Sequence, residues 1–422
     1  MPRLNPARAV TSLLPEPGPR RVYALALLVN TFGTGLLMVS LPLYLIRIVE
    51  LSAAEVGVGL TIASAITLLV GLPLGDLADR RGPLGVTKAM LLVQCAATVG
   101  LLFIDNFATF VVVVTVEMVA GRAIVTAEGA LLRRVADDSA AGFRSLTHAI
   151  TNVGFSFGFA GSGIALQIGT PTAFHVAIVI NVLTFVGAWV ILHRGMPHYE
   201  PLPIPHTALR WSVMRDKPFV AYAVVGIAFS LQFSVLLLLL PIWVVDHTNA
   251  PDWTVSASLV INTILVVAFQ VRLGAKVQTL RQGGLAWRRA GLAFLCSCAV
   301  MGFAAGLPAW AALLMIVVAV CAHTVGEIWH LAAGFALGMG LPPAHAQGQY
   351  DGFASILGGI GAAIAPVLLL GPVLSNGRVG LIALGAFFAL TSMLMPAVAR
   401  WGERTRPTSP NVGETEAAGA TA

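Results

Sequence analysis

Six ionisable residues sit inside long apolar runs of this 422-residue chain: Glu117, Arg122 and Glu128 in one run, and His323, Glu327 and His330 in another. A charged side chain at the centre of a bilayer costs about 2.5–3.5 kcal/mol on insertion scales, so each needs a partner or a role that offsets the cost. The second group reads His323-x-x-x-Glu327-x-x-His330, and positions i, i+4 and i+7 share one helix face. A carboxylate beside imidazoles, which titrate near neutral pH, suits taking a proton on one side of a membrane and releasing it on the other. Glu327 is therefore the expected proton-coupling residue, with His323 and His330 beside it. Two alternatives stand next to that reading. One is a structural pair of Glu327 with Arg122 or a histidine that only ties helices together. The other is a metal site, for which no further Asp, His or Cys is clearly placed, so none is assigned. Glu117 and Arg122 are five residues apart, hence rotated by about 140°, and are not expected to pair along one helix. Glu117 is a second candidate for proton or cation binding; Glu128 lies near the end of its run, where water reaches it.

Other chemistries lack their residues. The three lysines, Lys88, Lys217 and Lys276, never follow a glycine, so no Walker A loop exists and ATP is not hydrolysed. Neither a nucleophile elbow nor a Gly-rich dinucleotide fingerprint occurs. No enzymatic activity and no cofactor are expected. Cys95, Cys296, Cys298 and Cys321 all fall in apolar runs and indicate neither a disulfide framework nor zinc.

The elements that must position these residues follow from composition. With 57% hydrophobic and 10% charged residues, against about 25% charged in an ordinary soluble domain, the chain is excluded from the soluble globular class. A spanning helix needs about 20 mostly apolar residues. The apolar runs predict an all-α protein with twelve transmembrane helices, near 22–46, 55–78, 86–104, 107–131, 144–168, 172–193, 218–245, 253–275, 286–306, 309–337, 347–372 and 377–400. Basic residues test the count, because short cytoplasmic loops are enriched in them. With the N-terminus inside, 22 of the 25 fall on cytoplasmic segments, Arg47 and Arg378 lie outside, and Arg122 is left in mid-span. Both termini are thus expected in the cytoplasm, and the net charge of +6 reads as orientation rather than nucleic-acid binding.

The polar stretch 194–217, with Pro197, Pro201, Pro203 and Pro205, is expected to be a cytoplasmic linker between two six-helix halves, 22–193 and 218–400. Residues 1–21 and 401–422 are read as cytoplasmic tails, the second disordered. The halves repeat. Leu41-Pro42-x-Tyr44 aligns with Leu240-Pro241-x-Trp243, and Leu74-Gly75 with Leu273-Gly274, both at an offset of 199. Each half has an even number of spans, so the repeats are parallel, an arrangement found in secondary transporters. A second offset of 204, pairing Gly154 with Gly358, puts Arg122 and Glu327 at nearly equal depth and suggests a charge pair across a central cavity.

The loop between spans 2 and 3, Gly75-Asp76-Leu77-Ala78-Asp79-Arg80-Arg81-Gly82, resembles the G-x-L-A-D-R-x-G signature of the major facilitator superfamily, with Pro83 where that family usually places another basic residue. The resemblance covers residues 22–400. It implies that Gly75, Asp79 and Arg80 form a conformational latch, and that spans 1, 4, 7 and 10 line a central cavity. Asn30, Phe32, Thr34, Phe229, Gln232, Phe233 and Trp329 are then candidate substrate-lining residues, with Arg122 a charge partner. Span 4 is similar to the drug:proton antiporter branch in its mid-membrane Arg122, although Val125 and Thr126 replace the following glutamine and glycine. Span 5 carries the branch's glycine spacing at Gly154, Gly158, Gly161 and Gly163, with Phe159 in place of its proline. Close helix packing explains those glycines equally well. The Ala, Arg, Gly and Val bias suggests a GC-rich bacterial genome, and with it the resemblance implies a monomeric carrier in a bacterial cytoplasmic membrane that exchanges protons for an amphipathic drug or metabolite. The alternatives are a proton symporter importing a peptide, sugar or organic acid, and a membrane sensor or assembly subunit that moves nothing.

Overall fold

In the computed structural model, residue 15 and residues 17–135, 140–197, 211–274, 276–343 and 347–405 are described, the side chains of 71–80, 130, 133, 140–142, 144, 145, 148, 211, 212, 271, 347 and 348 excepted. None of the described residues is in a strand. The helices are α1 (Pro19–Arg47), α2 (Ala53–Arg81), α3 (Pro83–Gly100), α4 (Phe107–Val135), α5 (Ala140–Ile168), α6 (Pro171–Gly195), α7 (Lys217–His247), α8 (Trp253–Gly274), α9 (Leu280–Phe303), α10 (Ala309–Gly340), α11 (Gln347–Leu368) and α12 (Gly377–Thr405). Each expected span falls on one of them. Eleven are long and apolar enough to cross a bilayer. The twelfth, α9, is diluted by Arg281, Arg288 and Arg289, all in its first half. Its 24 residues still extend about 36 Å, more than the roughly 30 Å hydrocarbon thickness.

Local chemistry sets the ends. Ser52 and Glu55 cap α2 reciprocally, the Ser52 amide donating to Glu55 at 2.8 Å and the Glu55 amide to the Ser52 hydroxyl at 3.2 Å. Thr279 and Gln282 do the same for α9. Gly82, at φ 82°, makes the turn into Pro83, whose fixed φ suits the first helical position. Two helices are irregular inside the bundle. α7 passes through a π turn at Val235–Leu239 ahead of Pro241, and α11 is followed by another at Leu369–Val373 that contains Pro372. A proline has no N–H for the preceding turn, so a carbonyl is freed and the ladder shifts.

In the first half α1 packs on α5 and α6, α4 on α2 and α3, and α3 on α6. In the second, α9 packs on α10 and α12, α8 on α10, and α7 on α11. The halves meet along α2–α11 and α5–α8. The repeat read from sequence has a structural counterpart: Tyr44 Oη donates to the Leu101 carbonyl at 2.9 Å, and Trp243 Nε1 donates to the Met301 carbonyl at 2.9 Å. Both bonds tie the end of a half's first helix to the end of its third. The α5 glycines are packing positions. A Cβ at Gly154 would strike the Thr31 hydroxyl, one at Gly158 the Phe32 carbonyl, and one at Gly163 would lie 2.7 Å from Ser256 of α8. Most of the expected linker (198–210) and of the two tails (1–14 and 406–422) lies outside the described residues.

Candidate functional site

A cavity of about 780 Å³ lies between the halves, within the size range of small-molecule sites. α1, α2, α4, α6, α7 and α11 wall it. α4 brings both charges, Glu117 and Arg122, because a five-residue step leaves each pointing partly into a cavity this wide. Glu117 accepts a hydrogen bond from Gln94 Nε2 of α3 at 2.7 Å. Arg122 is exposed to the cavity and makes no ion pair among the described residues. The remaining polar wall is neutral: Thr34, Ser64, Thr67 and Asn181 from the first half, and Ser230, Ser234 and Ser355 from the second.

The cluster on α10 is divided. Glu327 accepts from Asn262 Nδ2 of α8 at 2.8 Å, and the same amide reaches the Thr324 hydroxyl at 3.0 Å. His323 is buried, its Nε2 lying 3.1 Å from Gln232 Oε1 on α7. His330 sits among rings, with centroids at 4.6 Å from Trp287 and 5.1 Å from Phe229. The three residues share one side of α10, but the imidazoles turn to α7 and α9 while the carboxylate turns to α8.

One end of the cavity is tied shut. Arg47, at the end of α1, lies 3.3 Å from Asp246 and 3.6 Å from Asp252, which flank the α7–α8 connection. Nearby the Val367 amide donates to the Thr61 hydroxyl at 3.1 Å, and Gly57 faces the Pro366 carbonyl so closely that a Cβ would lie 2.8 Å away.

A profile of the Major Facilitator Superfamily matches residues 23–366. The chain belongs to the major facilitator superfamily. It is therefore a multi-pass membrane transporter rather than an enzyme. A mutant of the nucleoside transporter NupG superposes with a TM-score of 0.73 at 11% identity, covering 91% of this chain and 100% of that one. A POT family transporter in complex with 5-aminolevulinic acid gives 0.73 at 13% identity, with 93% and 99% covered. A peptide transporter POT in complex with sulfate gives 0.72 at 16% identity, with 94% and 98% covered. At such identities the likeness is one of fold. No curated protein matches the chain.

On this superfamily scaffold the expected site residues separate. Glu117, Arg122, Thr34 and Phe233 line the cavity. Phe229 is fully buried against Trp287, Phe294 and Phe388, and Gln232 is buried on His323, so both belong to the packing of α7. Phe32 lines an apolar groove shared with α5 and α6 on the flank of the first half. Trp329 lies under the Arg289 guanidinium, 5.1 Å from ring centre to carbon. Asn30 keeps a buried Oδ1 with no partner among the described residues and does not line the cavity. The sequence had suggested a charge pair of Arg122 with Glu327; in the structure Glu327 is held by Asn262 instead. The side chains of Gly75, Asp79 and Arg80 lie outside the described residues, so the latch rests on the motif alone. No group of three metal-ligating side chains is found among the described residues. Sequence reasoning missed the contributions of α2, α6 and α11, and the partners Gln94 and Asn262. The one signal the sequence carries for Gln94 and Asn262 is a polar amide inside an apolar run.

Proposed function

We propose that the chain is a proton-coupled secondary transporter of a small amphipathic organic solute, working by alternating access of the cavity to the two sides of a bacterial cytoplasmic membrane. The observation carrying this reading is that α4 places a carboxylate, Glu117, and a cation, Arg122, in a cavity at the seam of two helical repeats. Two unit charges separated by about 8 Å, the order of a five-residue rise along one helix, interact by about 2 kcal/mol at an effective dielectric near 20, enough for the ionic state of one to alter the other. Glu117 is the proton carrier of this reading because it meets solvent and solute in the cavity. Glu327, held by Asn262, is a second protonatable group off the cavity wall.

By the distribution of basic residues the end tied by Arg47 is the outer one, so the cavity is reached from the cytoplasm. Opening the other way requires breaking the Arg47 contacts while the halves rock about α2–α11 and α5–α8. The wall around the charges is mostly apolar, which suits an amphipathic solute in either direction of movement, export as a drug or metabolite included.

The test is flux in proteoliposomes. An imposed pH gradient drives a solute from a panel of peptides, nucleosides, organic acids and cationic drugs up its concentration gradient, and a protonophore stops it. Solute movement indifferent to the pH gradient for every panel member contradicts the reading.

A further inference from the structure

Resting on that reading of the cavity, we propose that the solute is an amphipathic organic anion whose carboxylate docks on Arg122, and that Glu117 takes up a proton from water in the same binding event. Arg122 is exposed to the cavity without an acceptor among the described residues, and its planar fork of five donors matches a carboxylate two-to-two. Apart from Glu117, whose carboxylate already accepts from Gln94, the other polar groups on the wall are hydroxyls and one amide, none of which neutralises a cation. An amine would meet Arg122 with like charge, and an uncharged solute would leave a guanidinium unmatched in a space from which it has displaced water.

The walls are unequal in a way that orients such a solute. The first half supplies both charges. The second supplies Phe233, Leu237, Leu238, Ala362 and Pro366, with three serine hydroxyls as its polar groups and no charge, so the hydrocarbon body lies along it and along the apolar residues of α1.

Binding of the anion is linked to a proton through Glu117. The helices packed along α4 are α2 and α3. α3 presents the neutral Gln94 to Glu117, and α2 presents Ser64 and Thr67 to the cavity. Arg122 is thus the one other ionisable group among the described lining residues, and its charge is the one that a bound anion changes. A solute carboxylate on Arg122 cancels that charge. Glu117 then binds a proton, anion and proton enter together, and the coupling is reciprocal. The consequence is symport. Exchange of the solute for a proton would require the opposite linkage.

The test uses purified wild-type protein and matched carboxylates, amides and amines built on the same benzyl, indolyl and naphthyl skeletons. Isothermal titration calorimetry is run in two buffers of different ionisation enthalpy, which counts the protons exchanged. Carboxylates are expected to bind about tenfold or more tightly than their amides, the difference made by charge-assisted hydrogen bonds, with uptake approaching one proton. Arg122→Gln abolishes the preference for carboxylates, Arg122→Lys keeps part of it, and Glu117→Gln keeps carboxylate binding while the proton uptake disappears. Equal binding of acids and amides, tighter binding of amines, proton release on binding, or silence from every carboxylate overturns the proposal. These outcomes separate it from the transport reading, because pH-gradient-driven flux of an amine or a neutral solute would leave proton coupling standing while removing the anion.

Discussion

Glu117 and Glu327 are both mid-membrane carboxylates that accept from a neutral amide, and their surroundings assign them different work. Glu117 has one oxygen on Gln94 and a face to the cavity, whereas Glu327 links α10 to α8 through Asn262. Asn262→Ala leaves the Glu327 carboxylate without that donor, and a loss of about 1–3 kcal/mol is expected, read as a lower midpoint in a thermal or denaturant melt of the detergent-solubilised protein. Gln94→Ala is expected to alter the pH dependence of flux, since its donor sits on the group that carries the proton; an unchanged pH profile would place the proton elsewhere. The sequence made the charged residues legible because each is costly in an apolar run. It could not say which way the histidines turn, since both sides of a helix face are open to a side chain until the neighbouring helices are in place. His323 and His330 share a face with Glu327 in the helical wheel, yet Gln232 and Trp287 capture them.

At the scale of helices, the twelve apolar runs were readable because span length is dictated by bilayer thickness, and only α9, thinned by its arginines, falls short of the apolar criterion. The repeat was readable from Leu-Pro-x-aromatic, and the paired bonds of Tyr44 and Trp243 to carbonyls at the ends of α3 and α9 give the motif a physical reason. Tyr44→Phe removes one of two donors to the Leu101 carbonyl, which keeps the Ile104 amide, and Trp243→Phe removes one of two to Met301, which keeps the Ala304 amide, so each is expected to lower stability by about 0.5–1.5 kcal/mol in a melt. The breaks in α7 and α11 were not readable in the same way. Pro42 and Pro241 occupy matching places, but α1 runs on as an α-helix while α7 shifts to a π turn. The α5 glycines were readable only as a choice between two roles, and the contacts with Thr31 and Phe32 support close packing. Gly158→Leu is expected to push α1 from α5 and lower the melting midpoint, at a cost of at least about 1–3 kcal/mol.

For the whole molecule, the superfamily fold was legible from span count, charge alternation and the loop signature together, while the state of the gate was not, because it depends on contacts between residues about 200 apart in sequence. Arg47 with Asp246 and Asp252 holds one end of the cavity closed through partly exposed pairs, each worth about 0.2–1 kcal/mol. Arg47→Ala is therefore expected to raise the labelling rate of a cysteine at Thr34 by a membrane-impermeant maleimide added on that side, in a background lacking the four native cysteines, by about 2- to 5-fold. High salt should reproduce part of the effect in wild type. An unchanged rate would mean that the packing of α2 on α11 alone sets the closed state.

Whether Glu117 carries the proton in step with solute is read from two modes of flux in the same Glu117→Gln proteoliposomes. Net accumulation driven by a pH gradient requires the carrier to return with its proton released, while exchange of labelled for unlabelled solute does not. Glu117→Gln is expected to abolish pH-driven accumulation and to retain exchange near the wild-type rate. Accumulation that survives the substitution would contradict proton carriage on Glu117.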